Sequence, residues 1–345
     1  MGDFGGHGLE GLEESGARGG VGFEGWQRVG LEADAEEDTA GLWLGDEGLS
    51  LDPKPDADLH QDVMHDGLQR LESFISVMKM EKPDAIIQMG DFAYPNKKNE
   101  KVTRTFMEAH PRALHVLGNH DIDGGHSFDE VVKLWKMKGR YYTENIQGLN
   151  LVVLDGNEKP ADHKGGYPSH IGKAQLDWLG EQLEKLDGPI VVISHQGLAG
   201  PWSVDNAAEV QKILKQHQDK ILMTLNGHNH IDHIMKIGSI INFHVNSAAY
   251  QWVGGNFRHK SYPDEIHAKF PYIEYTCPYK DSLYTTLTID PAAGRIGIKG
   301  KLSEWVGKSP VDVGKKMHPD LKDGNEVAPH IRTRTLKRLL ESSDA

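Results

Sequence analysis

One cysteine, Cys277, stands in 345 residues, so no intramolecular disulfide can form and a disulfide-stapled scaffold is excluded. No apolar run approaches the roughly 18 residues that span a bilayer, so no transmembrane helix is expected. Met1 to Gly22 is rich in glycine and carries neither a basic stretch nor an apolar core, so no secretory signal is expected. A cytoplasmic location is the resulting expectation. Positive charge is also short: 38 Lys and Arg face 51 Asp and Glu, a net charge of −13. That balance argues against a general nucleic-acid binder. An anionic substrate stays compatible, because bound cations can reverse the local field.

What is present is 38% apolar residues, 39 glycines, 16 prolines and 19 histidines. The first 57 residues read as a poorly ordered Gly-rich and acidic segment, with a possible strand near Val29 to Asp34. From Gly67 the chain alternates regularly. Leu68, Leu71, Phe74, Ile75 and Met78 follow a helical period. Ala85 to Met89, Ala113 to Leu117, Leu149 to Leu154, Pro189 to Ser194 and Ile221 to Leu225 read as buried strands. Helices are expected over Glu100 to Ala109, Lys173 to Leu186 and Ala207 to Gln216, and after Ser127, whose capping-box partner is Glu130. β-rich segments close the chain, and Arg332 to Leu340 reads as a short basic helix on a solvated tail. These patterns predict an α/β fold of two packed β-sheets flanked by helices. Its main domain is expected over 58–305, with a C-terminal tail over 306–345.

Histidine placement carries the chemistry. Four strand ends deliver metal-type side chains: Asp91 after Gly90, Asn119 and His120 within Gly118-Asn119-His120-Asp121, His195, and His228 with His230. Asp58 and His60 add a fifth group. In open α/β sheets, ligands collect outside the carboxyl ends of strands. Each item alone has an ordinary reading as a turn or a hydrogen-bonded core residue; the ordered set does not.

The order Asp-x-His, Gly-Asp, Gly-Asn-His-Asp, His, Gly-His-x-His resembles the calcineurin-like metallophosphoesterase family from about Asp58 to His230. The resemblance implies two divalent ions, of Mn, Fe, Zn or Ni. One would be held by Asp58, His60, Asp91 and His230. The other would be held by Asp91, Asn119, His195 and His228, with Asp91 shared. Mixed oxygen and nitrogen donors without thiolate suit such ions. Two ions bring four positive charges against the two negative charges of Asp58 and Asp91, leaving a centre that attracts phosphate. The expected reaction is hydrolysis of a small phosphomonoester or phosphodiester by a hydroxide that the ions activate. His120, left without an ion, is expected to donate a proton to the leaving oxygen or a hydrogen bond to the phosphoryl group. Asp121 is expected to orient it, or else to cap the following turn.

The first group departs from the family pattern. Lys54-Pro55-Asp56-Ala57 precedes Asp58, and prolines at 53 and 55 argue against a central strand there. Either Val29 to Asp34 is the strand, with Asp34 as the possible carboxylate ligand, or Asp58 is held by loop packing; Asp58 is preferred. A degenerate first site would make the protein a non-catalytic metal-binding or scaffold protein. His228-Asn229-His230-Ile231-Asp232-His233 also reads as a His-x-His-x-Asp-His run of metallo-β-lactamase type, although it stands late in the chain. Asp155-Gly156-Asn157 and Gly165-Gly166-Tyr167 read as ordinary turns rather than cleft rim. The aromatic Tyr250 to Tyr279 stretch reads as a lid or packing segment.

Overall fold

The computed structural model describes residues 53–56 and 59–337. The candidate strand Val29 to Asp34, and with it both Asp34 and Asp58, lies outside the described residues.

The largest sheet has six strands in the order β4-β5-β6-β7-β9-β8, where β4 is Tyr142–Ile146, β5 Leu149–Val153, β6 Ile190–Ser194, β7 Ile221–Asn226, β8 His233–Ile237 and β9 Ile240–His244. β5, β6, β7 and β9 run parallel, and β4 and β8 add antiparallel edges. Parallel strands bury both faces, which is why these segments are continuous apolar runs. In β6, Val191 and Ile193 face a central core with Met223, Leu225 and Phe243. Ile190 and Val192 face the other way, onto Leu176 and Leu179 of α4 (Lys173–Lys185) and Val210 and Leu214 of α5 (Ala207–Gln216).

The second sheet repeats this arrangement. It is parallel, β1 (Pro53–Asp56), β2 (Ala85–Gln88) and β3 (Ala113–His115), with β2 central. Ala85 and Ile87 enter the central core. Ile86 faces Leu71 and Phe74 of α1 (Gly67–Glu81) and Phe106 of α2 (Glu100–Ala109). Two packed sheets with helices on their outer faces therefore form the fold the sequence predicts. The capping box at Ser127 is present, opening α3 (Phe128–Leu134).

Two expectations need correction. The residues before Asp58 do form a strand, at the edge of its sheet and not in the centre, as their prolines require. β1 pairs with β2 on one side only. On its other side the strand Thr286–Asp290 lies nearby with no ladder between them. Prolines two residues apart withdraw their N–H groups from the same side of a strand, so one ladder can survive while the other cannot. The C-terminal segment Arg334–Lys337 is a strand paired with Arg295–Lys299, not a helix. There Leu336 is buried between exposed Thr335 and Lys337, a period of two, and it joins the central core with Ile296 and Ile298.

Candidate metal centre

The strands of both sheets end on one side, and their ends bring the candidate ligands together. Gly90 and Gly118 make this possible. A Cβ on Gly118 would fall 2.1 Å from the Asp91 nitrogen, and one on Gly90 would fall 2.4 Å from His195 Nδ1. The loops after β2 and β3 are thus in backbone contact, which only glycine permits. His120 N–H closes the junction by donating to Asp91 Oδ1 at 2.7 Å.

Around His195 Nε2 the donor atoms crowd. Asp91 Oδ2 lies at 3.2 Å, Asn119 Oδ1 at 3.2 Å and His228 Nδ1 at 3.1 Å. Asp91, His195 and His228 each offer a ligand atom within 4.8 Å of one another, a group able to hold a metal ion. On the other side of Asp91, His60 Nε2 is 3.0 Å from His230 Nε2 and 4.0 Å from Asp91 Oδ2. The structure thus gathers His60, Asp91, Asn119, His195, His228 and His230.

Protonation suits cation binding. His195 Nδ1 donates to the Met89 carbonyl at 2.8 Å, which leaves its Nε2 lone pair facing the cluster. Burial lowers His60 and His228 to about 3 and holds His230 well below its ordinary value, so all three are neutral imidazoles near pH 7. Burial would raise the Asp91 carboxyl, but the neighbouring His195 and His120 rings outweigh it and hold Asp91 well below the usual range. Buried nitrogen and carboxylate lone pairs aimed at one another about 3 Å apart repel unless a proton or cation stands among them. A donor set of imidazole, amide and carboxylate fits divalent ions of the borderline class.

Backbone strain marks the same residues. His60 (φ 49°), Asp91 (49°), His228 (64°) and His230 (52°) are all in the left-handed region. Such conformations cost about 1–3 kcal/mol each and persist where the surroundings enforce them. Here they turn each side chain back across its strand end. His244, at the end of β9, supports the His228–His230 loop from beneath, with its Nδ1 2.9 Å from Asn226 Nδ2 and 3.0 Å from Asn229 Nδ2.

His120 and Asp121 part company. His120 lines an open cleft, its Nδ1 2.7 Å from Asp123 Oδ2. Asp121 does not orient it. Its carboxylate is fully buried and accepts from the backbone N–H groups of Phe92 (2.7 Å), Gly118 (2.7 Å) and Asp91 (3.2 Å). It fastens the β2 and β3 loops together, while Asp123 takes the place beside His120. In the one-turn 3₁₀ segment His120–Ile122, the side chain three residues on returns to the same face. Burial would lower His120, but Asp91 and the Asp123 hydrogen bond raise it on balance.

The cleft encloses about 540 Å³ and is lined by His60, Asp62, Asp91, His120, Asp123 and a set of aromatic rings. Of Gly165-Gly166-Tyr167, Tyr167 lines the cleft, and its Oη donates to Asp123 at 2.7 Å. Asp155-Gly156-Asn157 is more than a turn: Asn157 Nδ2 donates to the Leu117 carbonyl, and its Oδ1 accepts from Gln196 Nε2 at 2.6 Å. That bridge joins the residues just before Gly118 and just after His195. The late His-x-His-x-Asp-His run does not assemble as one site, since Asp232 and His233 turn away from His228 and His230. Asp232 accepts from Arg332 Nε at 2.6 Å and from Arg334, and His233 Nδ1 lies 3.8 Å from Glu326 Oε1.

The family model described as calcineurin-like phosphoesterase matches residues 57–232, half of the chain. Among solved structures, the fold is similar to a dimetal phosphatase from Danio rerio, at 13% identity over 73% of this chain and 96% of that one, with a TM-score of 0.51. It is also similar to GAP50, described as the anchor in the inner membrane complex of Plasmodium, at 14% identity over 85% of this chain and 90% of that one, with a TM-score of 0.53. No curated protein matches the sequence. Among the described residues, no helix is long and apolar enough to cross a membrane.

Proposed function

The chain belongs to the calcineurin-like phosphoesterase family, and on that premise we propose that it hydrolyses a phosphomonoester or phosphodiester at a binuclear metal centre with Asp91 shared between the ions. One ion would be held by Asp91, Asn119, His195 and His228. The other would be held by Asp58, His60, Asp91 and His230, with Asp58 outside the described residues. The observation that carries the reading is the position of Asp91 Oδ2, 3.2 Å from His195 Nε2 on one side and 4.0 Å from His60 Nε2 on the other. Bound ions would supply Lewis acidity toward the phosphoryl oxygens and an activated water as nucleophile.

The chain's own residues do the rest. His120 is held through Nδ1 by Asp123, which leaves its Nε2 as the proton donor for the leaving oxygen. Asp91 charge and the Asp123 hydrogen bond favour the protonated ring that this role requires. Tyr167 in turn donates to both oxygens of Asp123, at 2.7 and 2.8 Å, and fixes the carboxylate that fixes the histidine. Asp121 sets the two loops that carry Asp91 and Asn119.

The test is metal analysis with turnover. About two ions per chain, and Mn²⁺-dependent hydrolysis of 4-nitrophenyl phosphate or bis(4-nitrophenyl) phosphate, are expected. Two bound ions with no turnover of either ester would sink the catalytic reading. One ion or none would instead support a non-catalytic metal-binding or scaffold role.

A further inference from the structure

The cleft above the centre differs in character from its floor. Among the described residues that line it there is no lysine or arginine. Asp62 and Asp123 are the charged groups of its upper wall, with Tyr94, Tyr167, Tyr250, Trp252 and Tyr272 around them. Three of those rings are left substantially in water: Tyr167 is 50% exposed, Trp252 41% and Tyr272 57%. Burial raises Tyr94 and Tyr167, and Asp123 raises both further, so their phenols stay neutral and protonated.

The rings form a path away from the ligands. Buried Tyr250 packs on His60 (centroids 4.7 Å apart) and His230 (5.1 Å). Trp252 adjoins Tyr250 at 6.3 Å and is backed by Tyr275, nearly parallel at 9° and 5.6 Å. Arg258 lies over Tyr275 at 5.6 Å. The indole is therefore held from behind while lining the cleft, a platform one ring removed from the ligand histidines. A flat apolar group laid there would cover rings that otherwise face water. A second phosphate on the upper wall would meet Asp62 and Asp123, with no lysine or arginine among the described lining residues to pair it.

We propose that this site takes phosphoesters bearing a single phosphoryl group whose remaining part is a planar aromatic group stacked on Trp252, and that it discriminates against substrates with a second phosphate. The inference rests on the phosphoesterase reading and adds the substrate class. The experiment compares kcat/KM of the Mn²⁺-loaded full chain on phenyl phosphate, glycerol 3-phosphate, adenosine 5′-phosphate and adenosine 3′,5′-bisphosphate. Phenyl phosphate should exceed glycerol 3-phosphate, and the 5′-monophosphate should exceed the bisphosphate, each by about 10-fold. Trp252→Ala should raise KM for phenyl phosphate about 10-fold more than for glycerol 3-phosphate, and Tyr272→Ala should do so less strongly. Calorimetric binding of phenylphosphonate against methylphosphonate gives the same comparison without turnover. Equal or better use of the bisphosphate, or equal losses on both monoesters in Trp252→Ala, would overturn the assignment. Failure of every ester with both ions bound would instead overturn the underlying function, and equal binding of the two phosphonates would then overturn the substrate class as well.

Discussion

The two halves of the proposed metal centre are built to different standards. The half around His195 draws Asp91, Asn119, His195 and His228 from the ends of four strands in both sheets, and its loops lock through Gly90, Gly118 and Asp121. The half around His60 draws His230 from the same rigid frame, but His60 follows β1, which is hydrogen-bonded to the sheet on one side only. A ligand is only as well placed as the backbone that delivers it. The His195 half should therefore bind its ion more tightly and survive perturbation better.

The hardest test removes what the halves share. Asp91→Asn should cost both ions and lower kcat by at least about 10³-fold, read by metal analysis and steady-state kinetics; retention of two ions would break the shared-carboxylate reading. His120→Asn should lower kcat by about 10²–10⁴-fold with both ions kept, and metal loss there would make His120 a ligand instead. Asp58→Ala should release one ion and leave the other, whereas Asp34→Ala should release none; the reverse pattern would move the first carboxylate to Asp34.

The two carboxylates of the Asp121-x-Asp123 turn should separate next. Asp121→Asn should lower stability by about 1–3 kcal/mol, since one oxygen cannot accept all three backbone N–H groups. Asp123→Asn should leave the melting temperature in place and lower kcat by about 10-fold. The smallest effect lies away from the centre. Burial lowers His115 to about 3 from 6.5, so the unfolded chain takes up a proton that the native state refuses. Stability from this group is fully present above pH 6.5 and is lost progressively as pH falls toward 3. The melting temperature of chelator-treated protein should show that decline, and His115→Phe should lessen it, with His60, His228 and His230 supplying the remainder.

Much of this was legible in the residues because period and spacing are local signals. Helix α2 and the Ser127 capping box follow directly from them, and so do the apolar strands that end at Asp91, Asn119, His195 and His228. Three things were not. Asp123 rather than Asp121 meets His120, because which of two neighbouring carboxylates turns inward depends on a 3₁₀ turn and on N–H groups from a distant loop. Tyr167 reaches Asp123 across 44 positions, which no local pattern encodes. Arg332 and Arg334, read as a basic tail, fold back as partners for buried Asp232, two residues after His230.

The prolines of β1 have a mechanical consequence. Where Thr286–Asp290 lies beside β1 without a ladder, six strands that could form one continuous sheet meet as two panels of three along an unstitched seam. Load or thermal agitation opens a structure along its least-bonded line. Amide exchange and proteolytic nicking should enter there first, in the strand that leads to His60, while the six-stranded sheet that carries His195 stays closed.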